Sequence, residues 1–169
     1  IKNRLSILRW WAEKIGKQNV VAKDNAYYGI AERVFVTNIS KARDLDSELL
    51  EKITDPHIKI SLELQKAFGL RREEAIKFSP DYADKGSYIH LKSSWCKGGK
   101  ARDIPIRTDE QRELVKRAHL IAGKGSLIPS HLMYVQQLRL YEKLTDAVGL
   151  SKLHGLRHRY AQERYQELT

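Results

Sequence analysis

In one stretch of this chain the hydrophobic period switches from helical to two, and that switch limits what it can fold into. From about Asp44 up to Ser79-Pro80 the apolar residues recur at helical spacing. Beyond it, Tyr88, His90 and Lys92 alternate with Ile89 and Leu91, and Arg102, Ile104 and Ile106 alternate with Asp103 and Pro105. Period two is the mark of a strand with one face buried, so two strands flank the turn Cys96-Lys97-Gly98-Gly99-Lys100 as a basic hairpin. After it the helical period returns. Thr108-Asp109-Glu110-Gln111 reads as a capping box ahead of Leu114, Val115, Ala118, Ile121 and Ala122, and Gly123-Lys124-Gly125 ends that helix. A mostly helical α+β domain with a small antiparallel sheet follows.

The helical segments carry their own start and stop signals. In residues 2 to 15, Leu5, Leu8, Trp11, Ala12 and Ile15 form one apolar face, an amphipathic helix that needs a partner. Between Gly16 and about Arg43 the periodicity is lost around Tyr27, Tyr28, Val34, Phe35 and Val36, which reads as a linker with a short extended piece. Its mixed aromatic and basic residues fit a nucleic-acid backbone and, equally, a loop packing its tyrosines on a neighbouring domain. Asp44 or Asp46 caps a short helix through about Ile53, and Thr54-Asp55-Pro56 starts another whose buried stripe is Ile60, Leu64, Ala67 and Phe68. Gly69 interrupts it. The helix resuming at Leu70 has Arg71 and Arg72 in its first turn, where positive charge opposes the helix dipole unless Glu73 or Glu74 offsets it. Tyr134 to Ala147 sets Leu138, Tyr141, Leu144 and Val148 in register, and Gly149 closes it. Last comes His154-Gly155-Leu156-Arg157-His158-Arg159-Tyr160-Ala161, in which His154 and Arg157, three residues apart, share a helix face.

Charge narrows the function. With 31 Lys and Arg against 21 Asp and Glu, the 169 residues carry a formal +10, which makes nucleic acid the first candidate partner. No apolar run approaches membrane-spanning length and no signal-like segment opens the chain, so a cytoplasmic protein with no membrane partner is expected. The one cysteine, Cys96, excludes an internal disulfide and a cysteine-based zinc site. His57, His90, His119 and His131 lack metal-ligand spacing and read as structural. Trp10, Trp11 and Trp95 read as core or interdomain packing, with Trp95 near enough to the hairpin turn to touch DNA.

Four charged residues have no evident structural purpose: Arg71, Lys97, His154 and Arg157. Phosphoryl transfer needs that inventory. Two arginines clamp the oxygens where charge develops, a lysine protonates a leaving oxygen, and a histidine handles the proton of the nucleophile. There is no Walker-type glycine loop and no evident carboxylate cluster for magnesium, so a mechanism without metal or cofactor is expected.

Phe68-Gly69-Leu70-Arg71-Arg72-Glu73-Glu74, the run from Cys96 through Lys100 to Ile106, and His154 through Ala161 together resemble, in order, three sequence blocks of the tyrosine recombinases, the phage integrase family. The resemblance implies a tyrosine-recombinase-like catalytic domain in residues 41–169, preceded by a linker, 17–40, and the C-terminal helix of a core-binding domain, 1–16. It implies site-specific DNA recombination through a 3′-phosphotyrosine, with Arg71, Lys97, His154 and Arg157 catalytic. Glu74 and His158 would support them, and Arg72, Lys100 and Arg102 would bind DNA. The implied partner is double-stranded DNA, engaged by a tetramer on paired sites. Phe68 stands where the family often has Thr or Ser, and Cys96 where Gly is usual. The family's last box and its nucleophilic tyrosine follow the second arginine on later helices, so this chain, starting at Ile1 and ending at Thr169, reads as a fragment, inactive in cleavage. Tyr160 and Tyr165 read as structural, not as the nucleophile. A DNA-binding module that never cuts and a type IB topoisomerase remain alternatives.

Overall fold

The computed structural model describes residues 1–32, 34 and 39–169. The chain divides into two compact units, Ile1–Ile39 and Ser40–Thr169.

The first unit holds helix α1, Lys2–Lys14, followed by two short 3-10 turns. Arg9 ties the following loop to the helix, donating from Nε to the Ala22 carbonyl at 2.8 Å and from its terminal nitrogens to Asn25 Oδ1 and the Asp24 carbonyl. Ala12 is the buried residue of α1. Trp10 and Trp11, expected in core or interdomain packing, are 60% and 55% exposed, so the first unit does not bury them in a core of its own. Tyr27 and Tyr28 stack edge to face on each other, 5.1 Å between centroids. Of the extended piece read around Val34, Phe35 and Val36, the last two lie outside the described residues.

The second unit is α+β: seven helices and a two-stranded antiparallel sheet among the described residues. Asp46 caps α2, Ser47–Glu51, by accepting from the Glu48 and Leu49 amides. Asp55 caps α3, Pro56–Phe68, and Pro56 opens it where its missing N–H costs nothing. α3 is the central element. Ile60, Leu64 and Phe68 face one cluster with Phe78, Ile89, Leu91 and Val115. Ile58 and Leu62 face a second, with Ile76, Tyr141 and Leu156. The single expected stripe is thus half of a helix buried on two sides, and Ala67, assigned to it, is only partly covered.

Two short helices follow, α4 (Arg72–Ile76) and α5 (Pro80–Ala83), and then strands β1 (Tyr88–Leu91) and β2 (Arg102–Pro105). The register pairs Ile89 with Ile104 and Leu91 with Arg102. Ile89, Leu91 and Ile104 turn inward, as the alternation requires. The strands are shorter than read, since Lys92 already opens a 3-10 turn, Ser93–Trp95. A lone two-stranded ribbon is marginal in water, so its apolar face lies on the first cluster. Trp95 packs on that cluster, 6.4 Å from the Phe78 ring. α6 (Asp109–Ala122), α7 (Tyr134–Ala147) and α8 (His154–Leu168) complete the unit. Thr108 caps α6 through the Gln111 amide, while the Gln111 side chain accepts from the Arg107 amide. Among the described residues no helix is long and apolar enough to cross a membrane.

Candidate active site

The site begins where α3 stops. Gly69 adopts φ 60°, ψ 32°, ending the helix in the left-handed conformation that glycine tolerates best. The chain then re-enters a helix with Arg71 at the cap position of α4. The unfavourable charge there is cancelled by Glu74, which has no exposed surface. Its Oε2 accepts from the Arg71 backbone N–H at 2.7 Å, and its Oε1 from Arg71 Nη1 at 2.9 Å. Arg102, arriving from β2, grips the same carboxylate with both terminal nitrogens, Nη1 to Oε1 at 3.0 Å and Nη2 to Oε2 at 2.7 Å. Burial opposes ionisation of Glu74, but the Arg71 amide and the two guanidinium groups outweigh it and hold the carboxyl below its ordinary 4.5. Arg72 points elsewhere, pairing with Glu142 at 2.8 Å.

α8 delivers the other side. Gly155, in its first turn, leaves no room for a side chain: a Cβ would stand 2.4 Å from Arg43 Cγ and 2.8 Å from the Lys41 carbonyl. Arg43 donates its backbone N–H to the Gly155 carbonyl at 3.1 Å, so the segment before α2 straps the start of α8. Arg157 donates from Nη1 to the Gly69 carbonyl at 2.5 Å, which joins the second arginine to the turn that presents the first. Burial, then Arg102 and Arg71, push the Arg157 guanidinium below its usual value. His154 and His158, one turn apart, meet edge to face at 5.1 Å. Burial, followed by His158, Arg157 and Arg71, lowers His154 from 6.5 and keeps its imidazole neutral near pH 7. Arg71 and His154 open onto one cavity of about 590 Å³, shared with Arg72 and Tyr141.

Tyr160 sits one turn beyond Arg157, its ring against Gly69 and its hydroxyl accepting from Arg107 Nη1 at 3.1 Å. It packs on the first cluster, as a structural aromatic does. Tyr165 is 70% exposed. Arg71, Glu74, His154 and Arg157, from two separate stretches of sequence, therefore share one neighbourhood. Lys97 and Lys100 stand on the exposed hairpin turn, and among the described residues neither has a hydrogen bond or ion pair.

The profile of the integrase family matches residues 31–163, a span that contains every one of these groups. The chain belongs to the integrase family. No curated protein matches it. Membership makes it a phage-integrase or tyrosine-recombinase domain, a family of site-specific DNA recombination.

Within this integrase domain, two contacts escaped the sequence reading. One is the Gly69 carbonyl as the seat of Arg157, a backbone contact spanning 88 residues that leaves no mark on side-chain pattern. The other is Arg102 on Glu74. It had a signal: the alternation of β2 puts Arg102 on the inward face with Ile104, and a charged group facing inward needs a partner. Cys96 is buried beside the same carboxylate, and burial, then the Glu74 charge, raises its thiol above 9.0.

Proposed function

We propose that this integrase domain cleaves and rejoins duplex DNA, with Arg71 and Arg157 clamping the non-bridging oxygens of the scissile phosphate. The observation that carries this reading is the gathering of two guanidinium groups and an imidazole, with one saturated carboxylate beneath Arg71. Two arginines without a competing free acid suit a phosphate whose negative charge grows in the transition state. A tyrosine hydroxyl attacks phosphorus, the P–O bond to tyrosine forms, and the bond to the 5′-oxygen breaks. Neutral His154 takes the phenolic proton, and Lys97 gives a proton to the departing 5′-oxygen. A 5′-hydroxyl from the other duplex then reverses the step. The hairpin turn brings Lys97 to the phosphate when DNA is bound, with Lys100 and Arg72 on the neighbouring backbone, and His158 supports His154.

The attacking tyrosine is neither Tyr160, whose hydroxyl is held by Arg107, nor Tyr165, on the exposed end of α8. Residues 1–16 belong to a core-binding domain joined through 17–40, residues 41–169 form the catalytic domain, and four subunits act on paired sites.

The test is covalent capture of a nicked suicide duplex on a denaturing gel, using the protein with its tyrosine present. Alanine at Arg71, His154 or Arg157 should lower capture by roughly 10²-fold or more, as loss of a preorganised oxyanion donor does, while binding falls far less. Lys97→Ala should be restored by a 5′-bridging phosphorothiolate, whose sulfur leaves without a proton. Normal cleavage of ordinary DNA by Lys97→Ala would remove Lys97 from the mechanism. A band lost in Tyr160→Phe would overturn the exclusion of that residue.

A further inference from the structure

We infer that Arg102 is a positioning residue for Arg71, acting through Glu74, and does not itself hold DNA phosphate. The inference rests on the reading of Arg71 as a phosphate clamp. Its basis is the way one carboxylate is divided between two arginines. Glu74 offers about four lone-pair sites, and its two oxygens receive four bonds, from the Arg71 amide, Arg71 Nη1, and Arg102 Nη1 and Nη2. Arg102 spends both prongs of its fork on that carboxylate, and a bidentate pair of this kind is geometrically locked. Arg71 spends one terminal nitrogen there, leaving Nε and Nη2 for another anion.

The charge count points the same way. One carboxylate cannot neutralise two guanidinium groups, so the trio keeps a net positive charge. Arg102 absorbs the Glu74 charge, and Arg71, pinned by its amide and one side-chain bond, presents the surplus toward the cavity it shares with His154. Without Arg102 the full charge of an unexposed carboxylate would fall on Arg71 alone. That guanidinium would then be neutralised and drawn onto Glu74, and the phosphate would lose a clamp that Arg102 never touched.

Neutralising Glu74 at the same time should release Arg71 again, and this gives the test. The full chain is titrated by fluorescence anisotropy with a labelled duplex of arbitrary sequence over a range of salt, comparing wild type, Arg71→Ala, Arg102→Gln and Glu74→Gln/Arg102→Gln. Each phosphate contact contributes about 0.9 to the magnitude of the log–log salt slope. Arg102→Gln should lose about tenfold in affinity, the worth of one charged hydrogen bond, together with about 0.9 of slope. The double variant should regain the wild-type slope and come within about threefold of wild-type affinity, since it has lost no phosphate contact.

The double variant leaves no fully buried charge unpaired, since Arg71, its one guanidinium without a counter-charge there, is a third exposed, so it decides the question even if Arg102→Gln does not fold, as thermal melts of each variant will show. A double variant whose slope stays about 0.9 short of wild type makes Arg102 a phosphate contact and overturns the inference. An unchanged Arg102→Gln overturns it equally. An unchanged Arg71→Ala is a different failure, since it removes the phosphate-clamp reading and the inference with it.

Discussion

Replacing Gly69 by alanine puts a single methyl group where the structure has no space, and the cost can be worked in two parts. The first is conformational. Gly69 sits at φ 60°, and an L-residue held in the left-handed region costs about 1–2 kcal/mol. The second is steric. The new Cβ would lie 2.5 Å from Tyr160 Cδ1 and 2.9 Å from Cγ, against about 3.5–4.0 Å for ordinary carbon contacts. The ring must retreat by about 1 Å, on a helix whose Arg157 is bonded to the same glycine, and overpacking of this kind costs about 1–3 kcal/mol. The sum is about 2–5 kcal/mol, a large share of the 5–15 kcal/mol that holds a domain together. Gly149 separates the two parts, because it has φ 80° with nothing within 4 Å of an added Cβ. Gly149→Ala should cost only the conformational 1–2 kcal/mol or so. Urea unfolding followed by circular dichroism measures both, and in a Tyr160→Ala background the Gly69→Ala cost should fall to about that of Gly149→Ala. Equal costs for the two alanines in the wild-type background would refute the contact between Tyr160 and Gly69, and with it the seating of α8 on this turn.

Glu74→Gln keeps the shape but leaves the Arg71 and Arg102 guanidinium groups without their counter-charge, so unfolding should become easier by about 3–5 kcal/mol at neutral pH. Because the folded carboxyl lies below 4.5, its stabilisation is complete above that value and disappears as pH falls through the lowered native one. The stability gap between wild type and Glu74→Gln should therefore close in acid, and a gap that widens there would contradict the assignment. Gly155→Ala forces the new Cβ into Arg43 and the Lys41 carbonyl, so the Arg43 amide should exchange faster with deuterium and the domain should lose about 1–3 kcal/mol. Protection of Arg43 equal to wild type would show that the strap is not held at Gly155. Lys97→Ala and Lys100→Ala should each flatten the salt dependence of DNA binding by about 0.9 in log–log slope. A slope unchanged by both would take the hairpin turn off the DNA.

The local signals in the sequence were strong wherever one residue decides a backbone event. Asp46 and Asp55 at helix caps, Pro56 at a first turn, Gly69 and Gly149 at helix ends, and the alternation that turns Ile89 and Ile104 inward all act within a few residues of themselves. The three blocks that carry Arg71, Lys97 and His154 with Arg157 were legible for the same reason, each being a short contiguous pattern. Tertiary structure decided what crosses the chain. α3 is buried on two sides because helices from both later halves of the domain close on it, and the period of a single helix cannot say how many neighbours it will have. Trp10 and Trp11 are apolar enough for a core, yet their unit supplies none. Glu74 answers to Arg102 from 28 residues away, and Arg157 to the carbonyl of Gly69 from 88. Such pairings are selected by burial, which makes an unpaired charge or carbonyl costly only after the chain has folded around it.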